Sequence, residues 1–198
     1  MKLILASSSK QRQDIFKMLG LKYEVITSNV PEESNKKKPY KYVEELSRNK
    51  VLSVKSQIKE KAIIISCDTI IYGNNKIYEK PKSKEEAYQN LIELSNSKCT
   101  AYTGMTILDL YQDKTITTCT KVDIYFNEIT DKEAKWYSEN EEKIFKCCGF
   151  VPLGKASLFI KKINGDYNTL LGISPSTLYS KLKELGYDIT NLELENNN

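Results

Sequence analysis

The chain has 198 residues, 40% of them hydrophobic and 28% charged, and its 30 Lys and Arg against 26 Asp and Glu give a formal net charge of +4. That is enough chain for one sizeable core and an ordinary globular composition, and so weak a basicity suits an anionic small molecule without pointing to nucleic acid. Histidine is absent, which excludes Ser-His-Asp and Cys-His chemistry, histidine-ligated zinc and a histidine base, and leaves acid–base work to carboxylates, lysines, tyrosines or cysteines.

The five cysteines (Cys67, Cys99, Cys119, Cys147 and Cys148) are odd in number and form no CxxC pair. With no signal-peptide pattern before them, reduced thiols, a cytoplasmic location and no zinc site are expected. No run approaches the roughly 18 apolar residues of a membrane helix, so no membrane partner is expected.

Leu3-Ile4-Leu5 reads as a strand, Ser7-Ser8-Ser9 as a tight loop, and Ile15, Phe16 and Leu19 as the apolar face of a helix closed by Gly20. Strand, hydroxyl-rich loop and helix make an anion site, because the first helical N–H groups lack partners and the dipole end is positive. Arg12 in the first turn adds a cationic fork there. The plainer alternative is a capped surface helix with Arg12 solvated.

Residues 23–27 alternate as a short strand, and the Pro-, Ser- and Asn-rich stretch that follows is a loop carrying Glu32-Glu33 and a solvated Lys36-Lys37-Lys38 turn. Residues 40–59 form a helix with Val43, Leu46, Val51, Val54 and Ile58 as its apolar stripe. Lys50 lies in line with that stripe, so it either snorkels to the rim or reaches inward to hold an anion. Residues 62–72 read as a strand buried on both faces. Asp68 interrupts it, and a carboxylate there must be paired, bind metal or open on a cleft. Gly73-Asn74-Asn75 is a hairpin turn, and Glu79-Lys80-Pro81 ends the return strand, with Lys80 expected close to Asp68 across the hairpin.

Two capping boxes, Ser83 with Glu86 and Thr130 with Glu133, open helices over 83–94 and 130–141. Residues 101–110 and 115–126 read as two long strands, 157–163 as a further strand, and 174–186 as a last helix. The alternation makes an α/β domain with a mixed sheet over 1–190, and a polar disordered tail is expected over 191–198.

Taken together, these motifs resemble the Maf-like family of nucleoside triphosphate pyrophosphatases. Leu5-Ala6-Ser7-Ser8-Ser9-Lys10-Gln11-Arg12 is similar to its opening motif, with Gln11 standing where the family has an arginine. Glu32 matches its acidic loop position and Lys50 its helical lysine. Cys67-Asp68-Thr69, Glu79-Lys80-Pro81, Tyr102-Thr103-Gly104 and Ile163-Asn164-Gly165-Asp166-Tyr167 match four further elements. The largest departure is at 145–154, where Leu153 takes a glutamine position. Thr69 resembles the dTTP/UTP-type subgroup, whereas Asn168-Thr169-Leu170 and Asp123-Ile124-Tyr125-Phe126 look like the 7-methyl-GTP type, so base preference stays open.

The resemblance implies a mixed, twisted β-sheet flanked by helices, in two lobes with an active-site cleft between them, as in inosine triphosphatase-like folds. It also implies hydrolysis of nucleoside triphosphates, modified or non-standard ones included, to the monophosphate and pyrophosphate. Asp68, Lys50, Lys80 and Arg12 are the expected catalytic set, and Ser7, Ser9, Gln11, Arg12, Thr69 and Leu153 the expected substrate-binding set. Glu32 and Asp68 are the expected ligands of Mg²⁺ or Mn²⁺, with Asp68 as base, ligand or both. A homodimer is expected from the resemblance alone. Two other readings stand beside it: a regulatory protein that keeps the nucleotide pocket without turnover, and a nucleic-acid binder. The second is disfavoured because the lysine run is not interleaved with aromatics, and no nucleic-acid partner is expected.

Overall fold

The computed structural model describes residues 1–146, 150–152, 154–188, 190 and 192. Leu153 and all of the expected tail except Leu192 lie outside the described residues. The chain adopts the mixed α/β architecture read from its sequence: a seven-stranded sheet in the order β2-β1-β3-β5-β6-β7, with β4 paired to β3. The strands are β1 (Leu3–Leu5), β2 (Glu24–Val25), β3 (Ile63–Gly73), β4 (Lys76–Tyr78), β5 (Lys98–Asp109), β6 (Lys114–Phe126) and β7 (Ile160–Asn164). The helices are α1 (Lys10–Met18), α2 (Pro39–Lys55), α3 (Lys84–Leu94), α4 (Asp131–Asn140), α5 (Tyr167–Leu170) and α6 (Pro175–Glu184). Among the described residues no helix is long and apolar enough to cross a membrane.

What positions the site is the crossover pattern around β1. β1 pairs in parallel with β2 on one side and β3 on the other. The connection through α1 therefore runs one way across the sheet and the connection through α2 runs back the other way. With crossovers of one hand, the two helices fall on opposite faces, and the carboxyl end of β1 becomes a switch point where ligands bind. The cores agree. Leu3, Leu5, Ile63, Ile65 and Cys67 pack with Ile15 and Phe16 of α1 and with Leu178 and Leu182 of α6. Ile4, Ala6, Ala62 and Ile64 pack with Val51 and Val54 of α2. Alternation along a strand sends odd and even residues to opposite faces, so β3 serves both helices.

Two compact units share the chain. The first comprises residues 1–69, 103–120 and 171–198, and holds both of those cores. The second comprises 70–102 and 121–170 and has its own core, built on Ile71, Leu91, Leu94, Val122, Ile124, Tyr137, Phe150 and Phe159. In it the Thr130 hydroxyl accepts from Glu133 N–H while the Glu133 carboxylate accepts from Thr130 N–H, the reciprocal capping box read from sequence. At the other box the Ser83 cap is made, but Glu86 accepts from Lys82 N–H. Asn74 and Asn75 take φ of +48° and +60° in the β3–β4 hairpin, the left-handed pair that a two-residue turn demands.

Three element expectations need correction. Residues 157–163 are not one strand: a 3₁₀ segment, Lys155–Phe159, precedes β7. The Ser157 backbone N–H and hydroxyl both donate to Gly154 O, which holds that stretch in a turn. The strand expected over 23–27 shrinks to Glu24–Val25, and the helix expected to reach 59 ends at Lys55, where Gln57 N–H turns to Val54 O.

Two predictions follow from the packing. Gly104 of β5 lies against α2 so closely that an added Cβ would sit 2.3 Å from Val43 O and 2.8 Å from Glu44 N. Backbone atoms cannot step aside, so Gly104→Ala is expected to cost at least about 2 kcal/mol in urea unfolding. Cys67 and Cys99 are buried, and burial pushes each thiol up to about 12. At pH 8 both are therefore expected to resist iodoacetamide in the native protein and to react once it is unfolded, as mass spectrometry of the alkylated chain would read.

Candidate active site

The costliest side chains to bury in the first unit are a lysine and an aspartate, and they are bonded to each other. Lys50 Nζ lies 2.6 Å from Asp68 Oδ1, with the two side chains 8% and 9% exposed. It lies 3.0 Å from Glu32 Oε1, whose side chain is 56% exposed. One ammonium thus joins a helix, a strand and a loop. The two readings open for Lys50 resolve inward, and its partners are the carboxylates expected to bind metal. Breaking a buried pair by removing one partner strands a charge, which costs about 3–5 kcal/mol, so each member enforces the other's position.

Local chemistry brings them into register. Pro39 opens α2 at its first turn. Ser47, one turn before Lys50, is fully buried; its hydroxyl is 2.8 Å from the Thr106 hydroxyl of β5 and donates to Glu44 O at 3.0 Å. Ser66, two residues before Asp68 on the same strand face, donates its hydroxyl to Ser47 O at 2.5 Å. Thr106 in turn meets Thr117 of β6 at 3.1 Å. A chain of hydroxyls therefore ties α2 to the sheet just below the ion pair, and Gly104 permits the close approach. Sequence reading passed over Ser47 and Ser66. Their signal was a small polar residue on an otherwise apolar helix face and in an otherwise apolar strand run.

On the opposite face, Thr69 meets α1. Arg12 donates from Nε to Gly172 O at 2.9 Å, from Nη1 to Ser7 Oγ at 3.2 Å and from Nη2 to Thr69 Oγ1 at 3.2 Å. Thr69 Oγ1 is also 2.8 Å from Thr103 Oγ1. Gly172 has φ of +99°, and an added Cβ would lie 2.9 Å from Arg12 Nε. Both the backbone conformation and the close guanidinium call for glycine there. Each terminal nitrogen of the fork carries a second N–H besides the one spent on the protein. Ser9 caps α1 without a side-chain cap bond, its N–H donates to Ser7 Oγ at 3.2 Å, and no acidic residue sits in the first turn. The loop and helix start have the donor-rich, acid-free character of an anion site.

Pairing of β1 with β3 stops at Leu5 and Ile65, with Ala6 N–H donating to Ile65 O beyond it. Past that point Asp68 and Thr69, adjacent in sequence and on opposite faces, are both reached around the carboxyl end of β1. The structure so brings together Ser7, Ser9, Arg12 and Thr69 in one cluster and Glu32, Lys50 and Asp68 in another. Gln11 is half-buried in the first turn of α1, and Lys80 is exposed beyond β4 in the second unit. Cys67, immediately before Asp68 in sequence, is buried, and burial raises its thiol to about 12 despite the nearby Arg12 charge. Two carboxylates outside the clusters, buried Asp109 and half-buried Asp166, serve the fold. Asp109 accepts from Tyr111 N–H, Gln112 N–H and the Tyr187 hydroxyl. Asp166 Oδ1 accepts from Asn168 N–H at the start of α5, while its Oδ2 is buried without a hydrogen-bond partner.

Comparison with known proteins gives a consistent answer. A family model described as Maf-like protein matches residues 2–185. A protein of Thermoanaerobacter sp. (strain X514) named dTTP/UTP pyrophosphatase is 37% identical over 183 residues, covering 92% of this chain and 96% of its own. Proteins of the same name from Clostridium perfringens (strain SM101 / Type A) and Carboxydothermus hydrogenoformans are 34% identical over 192 residues and 37% over 189. Those alignments cover 96% and 94% of this chain and 99% and 100% of the relatives.

The ion pair yields a stability prediction. Lys50→Ala strands Asp68 and is expected to cost about 3–5 kcal/mol in denaturant unfolding, whereas Lys50→Ala combined with Asp68→Ala recovers more than half of the loss. Additive single effects in that cycle would contradict a coupled pair.

Proposed function

The chain belongs to the Maf-like family, and from that membership we propose that it hydrolyses nucleoside triphosphates of the dTTP/UTP type between the α- and β-phosphates, giving the monophosphate and pyrophosphate. The observation that carries this reading is the placement of Lys50, Asp68 and Glu32 on one sheet face and Arg12, Ser7 and Thr69 on the other, at the carboxyl end of β1. The names of the relatives support the substrate class, and Thr69 agrees with it.

A triphosphate brings about four negative charges, and the anion-binding end of α1 with the Arg12 fork supplies fixed donors for them at no reorganisation cost. Arg12 is held by Gly172, Ser7 and Thr69, so its remaining N–H groups are aimed before substrate arrives. Asp68 accepts a proton from the attacking water, a role that falls to a carboxylate in a chain without histidine. The water oxygen bonds to the α-phosphorus, the bridging P–O bond breaks, and pyrophosphate leaves with that electron pair. Lys50 balances the Asp68 charge in the free protein and lies within reach of a phosphate oxygen once it turns.

The donor set fits a divalent cation. Two carboxylates already converge on one positive centre. Among the described residues no group of three or more His, Cys, Asp or Glu is placed to hold a metal alone. Mg²⁺ and Mn²⁺ suit such a site because they accept one or two carboxylates and complete their shell with phosphates and water. Glu32 and Asp68 would hold the ion, and when bound it supplies charge neutralisation at the phosphates. The carboxylate has two oxygens, so Asp68 can serve as ligand with one and base with the other. The roles of Gln11, Lys80 and Leu153, turnover of modified triphosphates and homodimer formation rest on the family resemblance, and a cytoplasmic location on the cysteine pattern.

Pyrophosphate release from a panel of normal and modified triphosphates, with Mg²⁺ or Mn²⁺, tests the proposal. Turnover is expected to favour dTTP and UTP, and Asp68→Asn is expected to lower kcat by about 10³-fold while leaving the fold intact by circular dichroism. Near-normal turnover in that variant removes the base assignment. Binding of every nucleotide without pyrophosphate release points instead to the regulatory reading.

A further inference from the structure

We infer that Thr103 is a positioning residue for the anion cluster: its buried hydroxyl fixes the rotamer of Thr69, and Thr69 in turn aims the Arg12 fork at the phosphates. The inference rests on the pyrophosphatase reading and adds to it a residue that acts only through others. Thr103 belongs to the Tyr102-Thr103-Gly104 motif, whose threonine has no part in the chemistry described above.

Thr103 is the fixed point of this link. Along β5, Met105 and Ile107 pack into the core of α1 and α6, and Leu108 packs into the core of α2. Gly104 lies against the α2 backbone, and Thr106 meets Ser47. The strand is therefore held from both faces, and alternation puts Thr103 on the α1 side. There it is 2% exposed, with its Oγ1 2.8 Å from Thr69 Oγ1. Its backbone O accepts from the Thr120 hydroxyl at 3.4 Å, which ties it to β6 as well.

Thr69 is the adjustable member. It is half-buried, and the staggered wells of a threonine exchange its hydroxyl for its methyl group at nearly constant shape. Arg12 carries donors only, so its Nη2, 3.2 Å from Thr69 Oγ1, needs the hydroxyl there as acceptor. With the methyl group turned toward it, the guanidinium would keep only Gly172 O and Ser7 Oγ. In the well observed, one Thr69 oxygen serves both Arg12 and Thr103, so the two bonds stand or fall together. β5 thus repeats the division that β3 makes at Asp68 and Thr69: Gly104 serves α2 and Thr103 serves α1.

The side-chain ¹⁵N–¹H spectrum of Arg12 tests this without reference to turnover, and only Arg48 need be told apart from it. In the free wild-type protein the two terminal NH₂ groups are expected to give separate signals, because Ser7 holds one and Thr69 the other. Thr103→Val keeps the shape and removes the hydroxyl, and is expected to average those signals. Calorimetric affinity for a non-hydrolysable α,β-imido analogue of dTTP is expected to fall about tenfold in that variant. In turnover its KM is expected to rise by a similar factor, with kcat within about twofold of wild type. Thr103→Ser, which keeps the hydroxyl, is expected to match wild type in all three readouts. Separate Arg12 signals and unchanged affinity in Thr103→Val overturn the inference, as do losses that Thr103→Ser shares. Averaged Arg12 signals in the wild type overturn it too. A wild-type protein that releases no pyrophosphate counts against the pyrophosphatase reading alone, since the spectrum reports the positioning separately. Should Thr103→Val fail to fold, Thr103→Cys, with only a weak donor, takes its place and is read by the same outcomes.

Discussion

The contact between Lys50 and Asp68 is the constraint on which the candidate site depends. Neither charge could remain where it is without the other, since each is nearly withdrawn from water. Their pairing requires α2 to lie at one height on the sheet, and three features set that height: the hydroxyl contacts of Ser47 with Thr106 and of Ser66 with Ser47, and the bare backbone at Gly104. The glycine, the serines and the ion pair are therefore one device. Its members are spread from residue 47 to residue 106, and it acts by fixing where a cation sits between two carboxylates.

The second cluster is the counterpart on the other face of the same strand. Alternation along β3 gives Asp68 to α2 and Thr69 to α1, and the short β1 leaves both within reach at its carboxyl end. The two clusters are thus separated by a single peptide bond. Arg12 is not a loose surface cation in this arrangement; it braces α1 against Thr69 and against the backbone at Gly172. A chain built this way presents fixed donors from one face and a buried ion pair from the other.

Much of this was legible in the sequence, for reasons that differ by element. The apolar stripe of residues 43–54 and the continuous run of 63–71 carry strong periodic signals, and the structure has α2 and β3 there. Asp68 stood out because a carboxylate in such a run demands an explanation, and Lys50 because a lysine interrupts an apolar face. That each explains the other was not legible, since 18 residues separate them and only the crossover of α2 onto β3 brings them together. Residues 157–163 misled because β-branched and aromatic content does not reveal a serine that bonds back to Gly154. Gly172 gave no warning either: its role lies in a left-handed φ and in the guanidinium beside it.

The most direct test of the account is the side-chain ¹⁵N–¹H spectrum of lysine ammonium groups in the free protein, with Lys50 assigned by substitution. A buried ammonium bonded to Asp68 and Glu32 exchanges its protons slowly, so one resonance is predicted to persist where solvated lysines vanish. That resonance should be lost or displaced in Asp68→Asn, and should shift when Mg²⁺ and a non-hydrolysable α,β-imido analogue of dTTP are added together. An Lys50 ammonium that exchanges as fast as the surface lysines, and is unmoved by Asp68→Asn, would contradict the ion pair and the site built on it.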